Sequence, residues 1–103
     1  MAQGVNMKNI QEILQILKNE MPSLSKKYQI KSLSVFGSYV RDEQNQNSDL
    51  DILVSFNEIP SLLEFMQLEN YLSDLIGIQV DLVMEKSLKD KVSKVIIQEA
   101  VSI

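Results

Sequence analysis

The order of short apolar segments constrains the fold of this chain more than any other feature of its sequence. Two amphipathic stretches near the N-terminus precede an alternating segment, Ser32–Phe36, and an apolar segment, Leu50–Phe56. A third short segment, Ile78–Met84, lies between two further stretches with helical periodicity. Short strands need a sheet, and amphipathic helices need a surface to cover. The pattern predicts an α/β (α+β) fold, with a small mixed sheet of about three or four strands and helices packed on it.

Capping signals predict where the N-terminal helices begin. Asn9 to Glu12 has the pattern of a capping box, so we expect a helix from Ile10 to about Glu20. Pro22 suits the first turn of a second, short helix that ends near Tyr28. We expect residues 1–8 to be a flexible N-terminal extension, and residues 9–103 to form a single domain.

The second half of the chain carries similar signals. Ser61 to Glu64 is a second capping box, and the helix that it begins is expected to end at Gly77 as a C-cap. Ser87 to Asp90 is expected to cap a final helix. The inward-facing residues predicted for that helix are Leu88, Val92, Val95 and Ile96.

Composition excludes several classes of function. The 103 residues include no cysteine and no histidine, which excludes disulfides, thiolate chemistry, histidine-ligated zinc and Ser-His-Asp triads. The net charge is −4 and the basic residues are scattered, so direct binding to nucleic acid is not expected. Neither a membrane span nor a signal peptide is evident, and we expect a cytoplasmic protein.

Two aspartates at the start of the second strand predict a metal site. Asp49 and Asp51 are two residues apart, so their carboxylates project from the same face of the strand. Two such charges about 4 Å apart repel by roughly 4 kcal/mol at an effective dielectric constant near 20. A shared proton or a divalent cation would offset this repulsion, and Mg²⁺ binds one or two carboxylates together with substrate phosphates.

A small phosphate-binding turn is predicted just before this pair. Gly37 ends the first strand and permits a sharp turn, and Ser38 adds a hydroxyl donor at the start of one helical turn. Asp81 lies between apolar neighbours in the third strand, where an unpaired charge is expensive. We interpret it as a third carboxylate, either a ligand of a second metal ion or a general base.

Each of these features alone has an ordinary explanation. A Gly-Ser pair is usually only a turn, and Asp-x-Asp is usually a solvated strand start. An aspartate such as Asp81 usually faces a sheet edge or pairs with Lys or Arg, and Arg41 alone is usually a surface residue. Their combination, in this order and at this spacing, indicates metal-assisted nucleotidyl transfer, with a phosphate cradle beside a carboxylate pair.

The sequence Gly37-Ser38, ten intervening residues and Asp49-Leu50-Asp51 resembles the signature of the polymerase-β-like nucleotidyltransferase superfamily. The chain is similar to its minimal nucleotidyltransferases over roughly residues 10–103. The resemblance implies two Mg²⁺ ions, ATP as substrate, and a set of metal ligands comprising Asp49, Asp51 and Asp81. The nucleotide-binding residues expected with them are Gly37, Ser38, Arg41 and Ser48.

The resemblance also implies a partner. Many such proteins are antitoxins encoded beside a HEPN-type toxin, and some transfer AMP to a tyrosine of that toxin. Two positions depart from the family pattern, because Tyr39 stands where an arginine is frequent and Asp42 where a glycine is frequent. The extra negative charge of Asp42 is expected to weaken triphosphate binding.

Two further functions remain open on the sequence. The chain could be a non-catalytic antitoxin that masks its partner through exposed apolar residues, for which Leu62, Met66, Tyr71 and the segment Val101–Ile103 are candidates. It could also modify a small molecule, although relatives of that kind usually carry an additional domain. A homo- or hetero-oligomer is compatible with either reading.

Overall fold

The fold is a four-stranded mixed sheet with two long helices packed against it. The structure is a computed structural model that describes residues 9–103; the predicted extension, residues 1–8, lies outside the described residues. The helices are α1 (Ile10–Tyr28), α2 (Leu62–Ile76) and α3 (Asp90–Glu99). The strands are β1 (Ile30–Phe36), β2 (Leu50–Phe56), β3 (Val80–Met84) and β4 (Val101–Ser102).

The sheet has the strand order β3-β2-β1-β4. β1 is antiparallel to both β2 and β4, whereas β2 and β3 are parallel and are connected through α2. A parallel pair needs such a crossover, which explains why a helix separates these two strands in the sequence. The expectation of a small mixed sheet is confirmed, and β2, which follows the Asp49-x-Asp51 motif, is a central strand.

One hydrophobic core joins the sheet to α1 and α2. Each of these helices buries three side chains and each contacts the sheet and the other helix. The helical core residues are Ile13, Leu17, Leu24, Leu68, Leu72 and Ile76, and those of β1 and β2 include Leu33, Val35, Leu50, Ile52 and Val54. Both predicted capping boxes form, with Asn9 and Ser61 accepting hydrogen bonds from the amides of Glu12 and Glu64. Gly77 is the C-cap of α2.

The predicted break at Pro22 is wrong. α1 continues through Pro22 to Tyr28 as one helix of 19 residues, and the proline is exposed. A proline inside a helix costs about 3 kcal/mol. Leu17 and Leu24 are buried on the two sides of Pro22, and we infer that their packing holds both halves on one axis.

The predicted cap of the last helix is also wrong. Ser87 belongs to a single 3-10 turn, and its hydroxyl donates to the Met84 carbonyl at 2.7 Å. α3 begins with Lys89 at the N-cap, which makes no side-chain capping bond. The prediction of inward-facing residues fails in part, because Val92 and Val95 are exposed while Leu88 and Ile96 are half-buried. Val92, Val95 and Ile96 do share one face of α3, but the domain leaves most of that face exposed.

The C-terminal residues belong to the sheet and are not a free interface segment. β4 pairs with β1, and the amide of Ile103 donates to the Leu33 carbonyl at 3.0 Å. Val101 and Ile103 are half-buried as a result. A strand of two residues is too short to produce a recognisable alternation. Among the described residues, no helix has the length and apolar character needed to cross a membrane.

Candidate active site

Position 37 requires a glycine, both for its backbone conformation and for the space around it. It ends β1 with a φ of +84°, a conformation that favours glycine. A Cβ at this position would collide with Oδ2 of Asp51 and lie 3.2 Å from its Cγ. The Gly37 carbonyl accepts hydrogen bonds from the amides of Val40 (3.0 Å) and Arg41 (3.2 Å), which close the predicted turn. The glycine therefore brings the turn into direct contact with the aspartate of β2.

The pairing of three strands brings two of the predicted aspartates side by side. Asp51 is paired with Phe36 of β1 on one side and with Asp81 of β3 on the other. Asp49 lies just before β2 and, two residues from Asp51, is expected on the same face. The predicted carboxylates and the Gly37 turn thus lie at one end of the sheet.

The carboxylate of Asp51 is in an environment that disfavours its negative charge. Burial raises its pKa to about 6, and the nearby charges of Asp81 and Asp49 act in the same direction. Arg41 acts in the opposite direction, but it offsets only part of this increase in the pKa. Like charges and desolvation together make the ionised form costly unless a cation is present.

This donor set fits a hard divalent cation. Oxygen ligands at adjacent strand positions, with excess negative charge, are what Mg²⁺ binds in nucleotide sites. Within residues 9–103, no three acidic side chains already form a closed set of metal ligands. We infer that a metal ion would need further oxygen ligands, which a triphosphate can supply.

Asp81 differs from its prediction in one respect. The sequence suggested that burial makes its charge expensive, but the side chain is exposed. β3 is an edge strand, so the face and edge around Asp81 remain open to solvent. Its proximity to Asp51 therefore comes from strand register, and its accessibility suits an acceptor that approaches from outside.

Sequence reasoning missed Glu99, the last residue of α3. Its Oε1 accepts a hydrogen bond from the Gly37 amide at 2.7 Å and another from Arg41 Nη1 at 2.8 Å, and Nη1 lies 3.0 Å from Oε2. Arg41 Nε also donates to Glu43 at 2.9 Å. These hydrogen bonds raise the pKa of the Arg41 guanidinium. No local signal marks Glu99, because its position depends on the pairing of β4 with β1.

The two serines occupy different settings. Ser38 is half-buried at the start of the turn, and its carbonyl accepts from the Glu43 amide at 2.9 Å. The Ser48 hydroxyl accepts a hydrogen bond from the Asn45 amide at 2.9 Å, so it shapes the loop that leads into Asp49. The role of either hydroxyl in nucleotide binding stays a prediction.

The two departures from the family pattern have structural explanations. Tyr39 is only 3% exposed and belongs to the hydrophobic core; burial, followed by the charge of Asp49, raises its pKa. Asp42 has a φ of +58°, in the left-handed region that favours glycine. The glycine frequent at this position in the family thus matches the backbone, and Asp42 adopts the same conformation at some cost.

Comparison with known proteins identifies the family. Residues 11–103 match the nucleotidyltransferase domain family. The protein adenylyltransferase MntA of Thermococcus cleftensis is 47% identical over 95 residues, which cover 92% of this chain and 96% of the relative.

Solved structures share the fold. A structure described as a candidate minimal nucleotidyltransferase superimposes with a TM-score of 0.79 at 33% identity, covering 97% of this chain and 100% of that one. The MNT antitoxin in a complex with a tri-AMPylated HEPN toxin of Shewanella oneidensis has a TM-score of 0.57 at 20% identity, covering 89% and 66%. The last similarity concerns the fold alone. With the Gly37 turn adjoining the Asp51–Asp81 pair, and with a family match over nearly its whole length, the chain belongs to the nucleotidyltransferase family and is a nucleotidyltransferase.

Proposed function

We propose that this nucleotidyltransferase is a Mg²⁺-dependent protein adenylyltransferase that transfers AMP from ATP to a tyrosine of a cognate HEPN toxin and thereby neutralises it. The observation that carries the proposal is the contact between the Gly37 turn and Asp51, with Asp81 in register beside it. A phosphate-binding turn next to a cluster of carboxylates is the arrangement that nucleotidyl transfer needs.

In this proposal each part of the site has one task. The Gly37 amide and the Ser38 hydroxyl donate to the triphosphate, and Arg41 neutralises part of its charge. Asp49 and Asp51 hold the Mg²⁺ ions, and Asp81 completes the site on the open side of β3. The ions supply charge stabilisation at the phosphates when bound.

The reaction balances as a single displacement. The acceptor hydroxyl oxygen forms a bond to the α-phosphorus, the bond from that phosphorus to the bridging oxygen breaks, and diphosphate leaves. The hydroxyl proton passes to solvent. The exposed position of Asp81 favours an acceptor on a protein surface, because nothing on that edge of the described sheet encloses a small molecule.

The acceptor is proposed from relatives. The Thermococcus cleftensis relative is named a protein adenylyltransferase, and the Shewanella oneidensis toxin that accompanies an MNT antitoxin is AMPylated. Both support AMP as the transferred group, and the second supports a HEPN toxin as partner.

The test is label transfer to the co-encoded HEPN protein from ATP labelled at the α-phosphate. We expect label on the toxin, lost when its acceptor tyrosine is changed to Phe and lost with Asp49→Asn/Asp51→Asn. Asp74→Asn, an exposed aspartate of α2, is the matched control and should retain transfer. Full transfer by the double variant would contradict the proposal.

An alternative is a non-catalytic antitoxin that masks the toxin by binding it. The observation that favours it is the exposure of apolar side chains at the start of α2, where Leu62 is 75% and Leu63 66% exposed. Met66 extends this group, whereas Tyr71, also exposed, donates to Glu20 at 2.8 Å. If masking suffices, the double aspartate variant protects against the toxin without ATP. If transfer is needed, it does not.

A further inference from the structure

The Gly37 turn, to which the proposed function assigns phosphate binding, is occupied by the side chain of Glu99. Glu99 Oε1 accepts from the Gly37 amide at 2.7 Å, and the carboxylate is held by Arg41 at 2.8 and 3.0 Å. A carboxylate and a phosphate oxygen compete for the same donors, namely backbone amides and guanidinium groups. We propose that Glu99 is an internal competitor of the triphosphate, which must leave the turn before nucleotide can bind productively. This inference rests on the proposed function and concerns regulation of the same site.

The placement of Glu99 follows from the sheet. β4 pairs with β1 through Ser34–Ser102 and Val35–Val101, and continuing this antiparallel register sets Glu99 opposite Gly37. The last residue of α3 thus reaches the turn at the end of β1. The contact is built by the topology, because a short edge strand fixes the chain just beyond Glu99.

The charges favour this contact while the turn holds no nucleotide. Without Glu99 the Gly37 amide would face an open end of the sheet, and Arg41 would keep Glu43 as its ion-pair partner. The same contact adds a negative charge near Asp51, where Glu99 contributes to the unfavourable electrostatics. A triphosphate that approaches the aspartates is therefore repelled by one more negative charge. The Gly37 amide and Arg41, which would donate to it, are already hydrogen-bonded to Glu99.

Displacement of Glu99 needs little disruption of the core. None of the α3 side chains that the structure describes is fully buried, and Val92, Val95 and Ile97 are each about half or more exposed. A helix held by so few buried contacts opens at lower free energy than α1 or α2. The Glu99 side chain can therefore leave the turn without unfolding the domain.

The test is binding of ATP and of inorganic triphosphate, each with Mg²⁺, by isothermal titration calorimetry. We expect Glu99→Gln and Glu99→Ala to bind both ligands more tightly than the natural chain, by about tenfold for the alanine variant, since one charge-assisted contact no longer competes. Glu43→Gln is the matched control, because Glu43 also pairs with Arg41 but does not touch Gly37. It should change affinity by less than about twofold.

A second measurement follows the contact itself. The chain has only three glycines, so the Gly37 amide is readily assigned in a ¹⁵N–¹H NMR spectrum. Its resonance should shift in Glu99→Gln and again when triphosphate is added to the natural chain.

The outcomes separate the two proposals. Equal or weaker binding by both Glu99 variants, with binding by the natural chain intact, would overturn the competitor role and make Glu99 a positioning residue for Arg41. Failure of every variant to bind either ligand would overturn the proposed function as well. An equal gain in Glu43→Gln would show that only the charge around Arg41 matters, and would also overturn the inference.

Discussion

The three helices contribute very differently to this domain. α1 and α2 each bury three side chains against the sheet, whereas α3 buries none completely among its described residues. Yet α3 supplies Glu99, which reaches the Gly37 turn, and α1 supplies nothing to that turn in the described contacts. The difference indicates that the core is built by α1, α2 and the sheet, whereas α3 contributes a contact at the candidate site.

The largest expected effect is a difference in the free energy of unfolding between substitutions in α1 or α2 and a substitution in α3. Leu17→Ala or Leu72→Ala leaves a cavity in the core and should lower the free energy of unfolding by about 2–5 kcal/mol. Val95→Ala, at a residue that is 62% exposed, should change it by less than about 0.5 kcal/mol. Urea denaturation followed by circular dichroism measures these changes, and a loss in Val95→Ala as large as that in Leu17→Ala would contradict the comparison.

The next prediction compares two glycines with nearly equal φ angles. Gly37 and Gly77 have φ of +84° and +81°, so an alanine at either position carries a strain of about 1–2 kcal/mol. Gly37→Ala should lose more, because its Cβ also collides with Asp51. It should abolish nucleotide binding, while Gly77→Ala should retain it. Equal losses of stability in the two alanine variants would show that the Asp51 side chain moves away from the new Cβ at no cost.

The charge of Asp51 should make stability depend on pH. Its folded pKa, about 6, lies above the ordinary value of 3.8, so its neutral form is favoured in the folded state. The associated stability is complete below pH 3.8 and is lost as pH rises through about 6. Thermal denaturation between pH 4 and 8 should show this loss, and Asp51→Asn should reduce it.

The same denaturation experiment with added Mg²⁺ tests whether Asp51 is a metal ligand. At pH 8, added Mg²⁺ should raise the melting temperature of the natural chain more than that of Asp51→Asn, because it binds the ionised carboxylates. At pH 4.5 the increase should be smaller. An equal response of both proteins at pH 8 would argue against Asp51 as a metal ligand.

The smallest expected effect is at Asp42, where glycine is frequent in the family. Asp42→Gly removes the cost of a left-handed conformation and should stabilise the fold by about 0.5–1 kcal/mol. It also removes a negative charge near the turn, so triphosphate should bind slightly more tightly. Asp42→Asn, which removes the charge but keeps a side chain, separates the two effects.

Local signals in the sequence were sufficient for most of the fold. The elements that form the core were predicted from capping boxes and from apolar strands. The capping signals were Asn9, Ser61 and the C-cap Gly77. Pro22 misled because a local cost was outweighed by long-range packing of Leu17 and Leu24. The start of the last helix was misplaced because Ser87 belongs to a 3-10 turn, and its predicted inward face is mostly left exposed.

The candidate site was predictable to the extent that it depends on local spacing. Gly37, Asp49 and Asp51 lie within one β-turn-β unit, so their approach follows from the strand ends and from period-two alternation. Asp81 was found for a wrong reason, since its side chain is exposed and its place comes from strand register. Glu99 was missed because its contact with Gly37 spans 62 residues and depends on a two-residue strand.

The most direct test of the central claim compares ATP labelled at the α-phosphate with ATP labelled at the γ-phosphate, in the presence of Mg²⁺ and the proposed HEPN partner. We predict that only the α-label becomes attached to protein, and that Asp51→Asn abolishes the transfer. Attachment of the γ-label, or transfer of the α-label by Asp51→Asn at the natural rate, would contradict nucleotidyl transfer at this site.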